Sequence, residues 1–191
     1  IEVEFEKWCS SMVLMAKNRY AGNVTWTEGV SHGDVLYVKG IELKQSRMPP
    51  IMKEVMSATL NSVLTHKNET ETTNYIKDLI DRVLEGKEDD INLCMKGRLS
   101  RDLSKYKTLS GPSAGAAWAN ANIGKTYRKD SYFLTTLDEN GKYIAFDDPK
   151  EIRGLAKIGY KELLERFVLK KVEPYYDLVG WDMQPLWNSI Q

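Results

Sequence analysis

The chain is poor in the residues that build metal centres and cross-links. Of its 191 residues only two are cysteine, Cys9 and Cys94, and two are histidine, His32 and His66. They stand far apart with no Cys-x-x-Cys, so neither a structural zinc site nor a secreted disulfide framework is expected, and both cysteines read as small apolar core residues. No apolar run approaches the roughly 20 residues of a membrane-spanning helix, and no signal peptide opens the chain, so a cytoplasmic protein without membrane contact is expected. Excess charge is missing too: 27 Lys and Arg balance 27 Asp and Glu. That excludes a simple polyanion-coating protein, but not a binder whose cations are gathered on one side. Catalytic signatures are equally scarce. There is no GxSxG, no GxxxxGKS and no HExxH, and no pair of aspartates on a strand beside a turn, as two-metal phosphoryl transfer requires. An initiator Met is also absent and Ile1 stands inside a strand-like pattern, so the chain reads as part of something longer.

What is present suits one domain, or one with a small piece added, and a hydrophobic fraction of 42% supplies a core. Ile1, Val3 and Phe5 alternate with Glu2, Glu4 and Glu6, the period of a half-buried strand. The apolar stretch from Trp8 to Ala16 reads as a helix or an edge strand. Tyr20 to Lys39 reads as a hairpin, with breaks at Gly29 and at His32-Gly33-Asp34. Pro49-Pro50 opens a helix whose Ile51, Met52, Val55, Met56, Leu60, Val63 and Leu64 share one face. Tyr75, Ile76, Leu79, Ile80, Val83 and Leu84 repeat the pattern, which predicts an antiparallel helix pair. Pro112 to Ala121 reads as a helix rich in small residues, and Tyr132–Thr136 and Lys142–Phe146 as a hairpin around Asp138-Glu139-Asn140-Gly141. A last helix is predicted over about Tyr160–Leu169, with Leu163, Leu164, Phe167 and Val168 on one face. The fold class expected is α+β.

Neutrality hides polarity. Lys67 to Asp90 holds eight acidic and four basic residues, net −4. Lys96 to Asp130 holds eight basic residues (Lys96, Arg98, Arg101, Lys105, Lys107, Lys125, Arg128 and Lys129) against Asp102 and Asp130, net +6. A basic stretch beside an acidic one suits a surface that holds an anion on one side.

Glu4-Phe5-Glu6-Lys7, followed by Ala16-Lys17-Asn18-Arg19-Tyr20-Ala21-Gly22, resembles the EFEK strand and KKRYAG motif of family-B DNA polymerases. Val38-Lys39-Gly40-Ile41-Glu42 is similar to that family's KGIE. Gln45 to Pro50 ends in proline and opens a helix, as its R-x-D-x-P segment does. Leu103-Ser104-Lys105-Tyr106 resembles its thumb signature L-x-K-Y, Gly124 with Tyr127 its G-x-x-Y-R stretch, and Glu173-Pro174-Tyr175 a late thumb segment of T4-like phage polymerases. The motifs are collinear over essentially the whole chain.

The resemblance implies the end of the palm in residues 1–47, with its strands and hairpin, and a mainly helical thumb with a small β-hairpin in residues 48–191. It implies that Lys17, Asn18 and Arg19 face the primer-terminal minor groove, where purine N3 and pyrimidine O2 accept hydrogen bonds whatever the base pair. Tyr20 would support the primer backbone, Lys39 would bind DNA, and Lys105, Tyr106 and Lys107 would hold the duplex phosphates. Asn18 departs from the usual Lys and lacks its charge. Glu6 and Glu4 match accessory carboxylates near the active site, although solvent-facing strand residues read the same way. Gly111 and Gly115 suit close approach to phosphates, or ordinary turn and packing roles. The motifs DxxSLYPS, YGDTDS and KxxxNSxYG, which carry the metal-binding aspartates and the nucleotide site, do not occur. The implied whole is a DNA-directed DNA polymerase using Mg2+ and dNTPs on primer–template DNA. Its exonuclease, palm and fingers would come from an N-terminal portion or subunit, and this chain would be inactive alone. A free-standing duplex-DNA-binding module, or a scaffold for an acidic protein, remains the alternative.

Overall fold

The computed structural model describes residues 5–41, 43 and 48–191. The expected strand residues Ile1–Glu4, and Glu42 and Gln45–Arg47 of two matched segments, lie outside them. The architecture is α+β, with two small antiparallel sheets and six α-helical segments among the described residues.

The first sheet has the order β1 (Lys7–Ala16), β2 (Arg19–Thr27), β3 (Val30–Lys39). The stretch from Trp8 to Ala16 is thus a strand. Lys17-Asn18 turns β1 into β2, with Ala16 opposite Arg19, and Glu28-Gly29 turns β2 into β3. The break expected at His32-Gly33-Asp34 is a bulge instead: Trp26 faces Ser31 and Val24 faces Val35, so these three residues stand opposite Thr25 alone. The strand continues through it.

Helix α1 (Pro50–Leu64) starts with Pro50 at its first position, where a missing N–H costs nothing. Helix α2 (Glu69–Leu84) is capped by Asn68, whose Oδ1 accepts the Thr70 N–H at 2.8 Å, with Glu69 and Glu71 in the first turn and Arg82 in the last. The predicted face of α1 is buried throughout. On α2, Tyr75 and Leu84 at the edges of the stripe are exposed, and the Tyr75 hydroxyl donates to Glu54 at 2.7 Å. One core joins Val13, Ala21 and Val38 of the sheet, and Ile41 just beyond it, to α1, α2 and the C-terminal helices.

The second sheet has the order β4 (Met95–Arg98), β5 (Tyr132–Leu137), β6 (Tyr143–Phe146), and helix α3 (Pro112–Asn122) packs on it. A satellite core of Leu99, Ala116, Ala119, Phe133 and Ala145 lies between them. Gly115 is the close-packing point: a Cβ there would stand 2.8 Å from Thr135 Oγ1 and 3.1 Å from Ile144 O. Gly111 precedes α3 at φ 53°, a turn geometry. Gly115 is therefore a buried packing glycine and Gly111 a turn glycine, and the phosphate-approach reading fails for Gly115.

The last helix runs well past Leu169. Helix α4 (Tyr160–Leu163) passes into a π-helical segment, Leu164–Leu169, and on into α5 (Lys170–Val179), which Gly180 ends at φ 73°. The Lys170 N–H donates to Glu165 O, five residues back. Pro174 stands inside α5, where it offers Lys170 no N–H and crowds its carbonyl, and the helix continues through it. Beyond it Tyr176 is buried, its hydroxyl 3.0 Å from Thr73 Oγ1 of α2. A short α6 (Gln184–Asn188) closes the fold. Among the described residues no helix is long and apolar enough to cross a membrane.

Candidate nucleic-acid interface

Two places gather exposed cations. The first is the β1–β2 turn. Lys17, Asn18 and Arg19 are exposed and Tyr20 is half-buried. Asn18 takes φ 61°, the left-handed conformation that Asn tolerates better than most residues. Its place in the turn thus has a backbone reason that the motif comparison missed. Lys39 pairs with Tyr20 in the β2–β3 register. Gly40 at φ 67° then lies so close to the turn that a Cβ would stand within 2.0 Å of Asn18 O and 3.0 Å of Arg19 Cγ. The Lys39-Gly40-Ile41 and Lys17–Tyr20 segments, distant in sequence, are thus one site, and only glycine permits the contact. Among the described residues no carboxylate forms an ion pair with Lys17, Arg19 or Lys39. The Lys39 ammonium sits 5.8 Å from the Tyr20 ring centre, at the outer reach of a cation–π contact.

The second place is the loop pair beside the second sheet. Leu99 N–H donates to Ser131 O at 3.2 Å, Asp130 N–H to Leu99 O at 2.8 Å, and Lys129 N–H to Asp102 Oδ1 at 3.0 Å. These bonds join residues 99–102 to residues 129–131, so the loop that carries Arg101, Lys105 and Lys107 lies beside the one that carries Arg128 and Lys129. Lys105 is highly exposed, its Nζ a loose 3.9 Å from Asp102. Tyr106 is half-buried. Its hydroxyl accepts the Ser100 N–H at 3.2 Å and lies 3.3 Å from Ser100 Oγ, and the Arg101 guanidinium sits 5.4 Å from its ring. The Ser100 hydroxyl bond is the main reason the Tyr106 phenol is held below its ordinary pKa. Tyr106 therefore fixes the loop that displays Lys105 and Lys107.

Not every cation of the basic stretch is available. Arg98 is bound to Asp130 at 2.7 Å. Lys125 bridges Asp147 at 2.5 Å and Glu151 at 2.9 Å, and the Tyr127 hydroxyl donates to Asp147 at 2.7 Å. The bond from Lys125 is the main reason Asp147 stays below its usual pKa, and burial, then the bond to Asp147, raises Tyr127. Asn120 secures the same strap, accepting the Tyr127 N–H at 2.8 Å and donating to Tyr127 O at 3.0 Å. Lys125 is a brace. Arg101, Arg128 and Lys129 were visible only as part of a charge count. The signal that places them with Lys105 is a set of hydrogen bonds between two loops distant in sequence, which no motif encodes.

The carboxylate candidates fare differently. Glu6 is exposed, with Oε2 3.6 Å from Lys7 Nζ, and Glu4 lies outside the described residues. Among the described residues no three His, Cys, Asp or Glu side chains stand together as a metal site requires. The described residues do not fit a Mg2+ centre. Cys94 is buried, its thiol donating to Asp90 O at 3.1 Å, and burial followed by Asp90 and Asp89 raises its pKa to about 12. Cys9 is half-buried against Gly22.

Comparison with known proteins meets this geometry. The family model for DNA polymerase family B matches residues 1–156. A DNA polymerase of Archaeoglobus fulgidus is 27% identical over 109 residues, 57% of this chain and 13% of the relative. The DNA polymerase delta catalytic subunit of Dictyostelium discoideum is 31% identical over 109 residues, again 57% of this chain but 10% of the relative. The aligned region is thus a small fraction of either relative's length. With the match running through the sheet, the turn and the basic loops alike, the chain belongs to DNA polymerase family B.

Proposed function

We propose that this chain is the C-terminal, DNA-gripping part of a family-B DNA-directed DNA polymerase. In this reading residues 1–47 end the palm and residues 48–191 form the thumb. The metal-binding aspartates, with the exonuclease, the rest of the palm, the fingers, the Mg2+ ions and the dNTP site, belong to another polypeptide or another part of the same one. The observation that carries the reading is the gathering of exposed cations at two separate places in a molecule of zero net charge. A polymerase must hold every primer end alike. Donors at the Lys17–Tyr20 turn can test the minor-groove acceptors common to all pairs, while Lys105 and Lys107 neutralise phosphates farther along. Asn18 serves as turn former and amide donor, so Lys17 and Arg19 supply the charge.

The test is a titration of the chain with labelled primer–template and with each single strand over a range of salt. Binding should favour the duplex, and log Kobs should fall linearly with log salt, by about 0.9 for each phosphate neutralised. A salt-insensitive interaction, or no preference for duplex, would sink the reading.

A further inference from the structure

The exposed face of the first sheet carries more than the turn at its end. The Tyr20 and Tyr37 rings lie 6.1 Å apart at 33°. Lys39 Nζ stands 5.8 Å from the Tyr20 ring, and Lys7 Nζ 5.1 Å from the Tyr37 ring. Lys7 pairs through its backbone with Thr27, at the opposite end of β2 from Tyr20, yet its side chain reaches the same row. The order of contacts is therefore Lys7, Tyr37, Tyr20, Lys39: two cations enclosing two aromatic rings. All four line one open groove of about 420 Å3, together with Met12 and Leu14, which are 50% and 66% exposed.

This composition discriminates between occupants. Large apolar side chains left in solvent on one sheet face mark a surface that binds something. The core of a protein–protein contact is depleted in lysine, whereas this groove has a lysine at each end of its aromatic row. A nucleic-acid strand needs that mixture: cations for phosphates, and aromatic or apolar surface for sugars and bases, with no sequence preference. The groove is also continuous with the turn site, because Tyr20 and Lys39 belong to both. Glu6, 3.6 Å from Lys7 Nζ, places a carboxylate at the outer end of the row.

We propose that Lys7 and Tyr37, with Tyr20 and Lys39, form a track for the sugar-phosphate backbone of one DNA strand, leading from the Lys17–Tyr20 turn across the sheet. The proposal rests on the DNA-gripping reading and adds two residues to it.

The test uses the whole chain, with p-benzoylphenylalanine replacing Tyr37 in one variant and Tyr106 in another, irradiated on primer–template with each strand labelled in turn. The Tyr37 position should cross-link to one strand only, and Lys7→Gln should weaken that product. In the unlabelled chain, Lys7→Gln and Lys39→Gln should each lower the log–log salt slope by about 0.9. These lysine variants keep the test decisive if the bulky photoprobe disturbs the half-buried Tyr37 site. Cross-linking from the Tyr106 position without any from Tyr37, and with salt slopes unchanged in both lysine variants, overturns the track while the grip stands. If neither position cross-links and the chain binds no DNA, the grip itself falls. A Tyr37 product formed with an added catalytic polypeptide in place of DNA makes the groove a protein interface and overturns the proposal.

Discussion

Arg19 leaves the turn at the first residue of β2, exposed, with its backbone paired to Ala16. If it donates to the primer-terminal groove, Arg19→Ala in the assembled polymerase should slow extension roughly tenfold, the ~1.5 kcal/mol of one charge-assisted hydrogen bond. It should also blunt the difference between matched and mismatched primer ends. A folded variant that extends both as the parent does would remove Arg19 from the primer end. Gly40 tests the turn differently, because its role is steric. Gly40→Ala forces a Cβ to within 2.0 Å of Asn18 O at φ 67°, so urea denaturation should show a loss of at least ~1–3 kcal/mol. Gly33 has nothing within 4 Å of a built Cβ and no positive φ, and Gly33→Ala should stay within about 0.5 kcal/mol. Equal losses at both sites would mean that the Gly40 contact is not what holds the turn. Single residues were legible unevenly. Lys105 and Arg19 stood out through motif resemblance. Asn18 looked like a lost charge until its backbone angle gave it a reason. Gly40 was noted only as part of a motif, since a close approach between strands leaves no local trace in sequence.

Elements were legible where their signals are local. The stripes of α1 and α2, the Pro50 start and the turn ending in Gly141 all lie within a few residues of what they control. Two features escaped because they depend on context. The bulge at His32–Asp34 is defined by its partner strand, and Gly and Asp there read as a break. The helix expected to end near Leu169 continues to Val179 past Pro174, and the π-helical turn before that proline leaves no trace in the periodicity. The strap from Lys125 to Tyr127 belongs at this scale. It binds the segment after α3 to Asp147 and Glu151 just beyond β6, and so sets the position of the basic turn at Arg128–Asp130. Lys125 and Lys105 should therefore behave as opposites. Lys125→Met should lower stability by about 1 kcal/mol, the scale of a partly exposed hydrogen-bonded ion pair, and leave the salt slope of DNA binding near the parent's. Lys105→Ala, at an exposed side chain with one loose ion pair, should leave stability within about 0.5 kcal/mol and lower the slope by about 0.9. Measured together by denaturation and salt titration, an exchange of these two results would show that Lys125 is the DNA contact.

At the scale of the molecule, grip and chemistry are separate demands. Grip needs cations displayed on a rigid support, and the described residues supply them at the sheet turn and at the paired loops, despite a balance of 27 basic and 27 acidic residues. Chemistry of phosphoryl transfer needs carboxylates converging on paired metal ions ~3.5–4 Å apart. Among the described residues no such cluster exists, and the aligned region spans 13% and 10% of the two related polymerases. The isolated chain, given primed template, all four dNTPs and Mg2+ or Mn2+, should therefore add no nucleotide. With a polypeptide carrying both metal-binding aspartate motifs, extension should appear. If this chain contributes the grip, that extension should then weaken with salt and lose processivity in Lys105→Ala. Three outcomes separate the readings. Incorporation by the pure chain alone would refute the division of labour. Extension on mixing establishes it. DNA binding with no extension beside any family-B catalytic portion that is itself folded and binds dNTP would leave a free-standing duplex-binding module, and the polymerase assignment of this chain's role would be wrong.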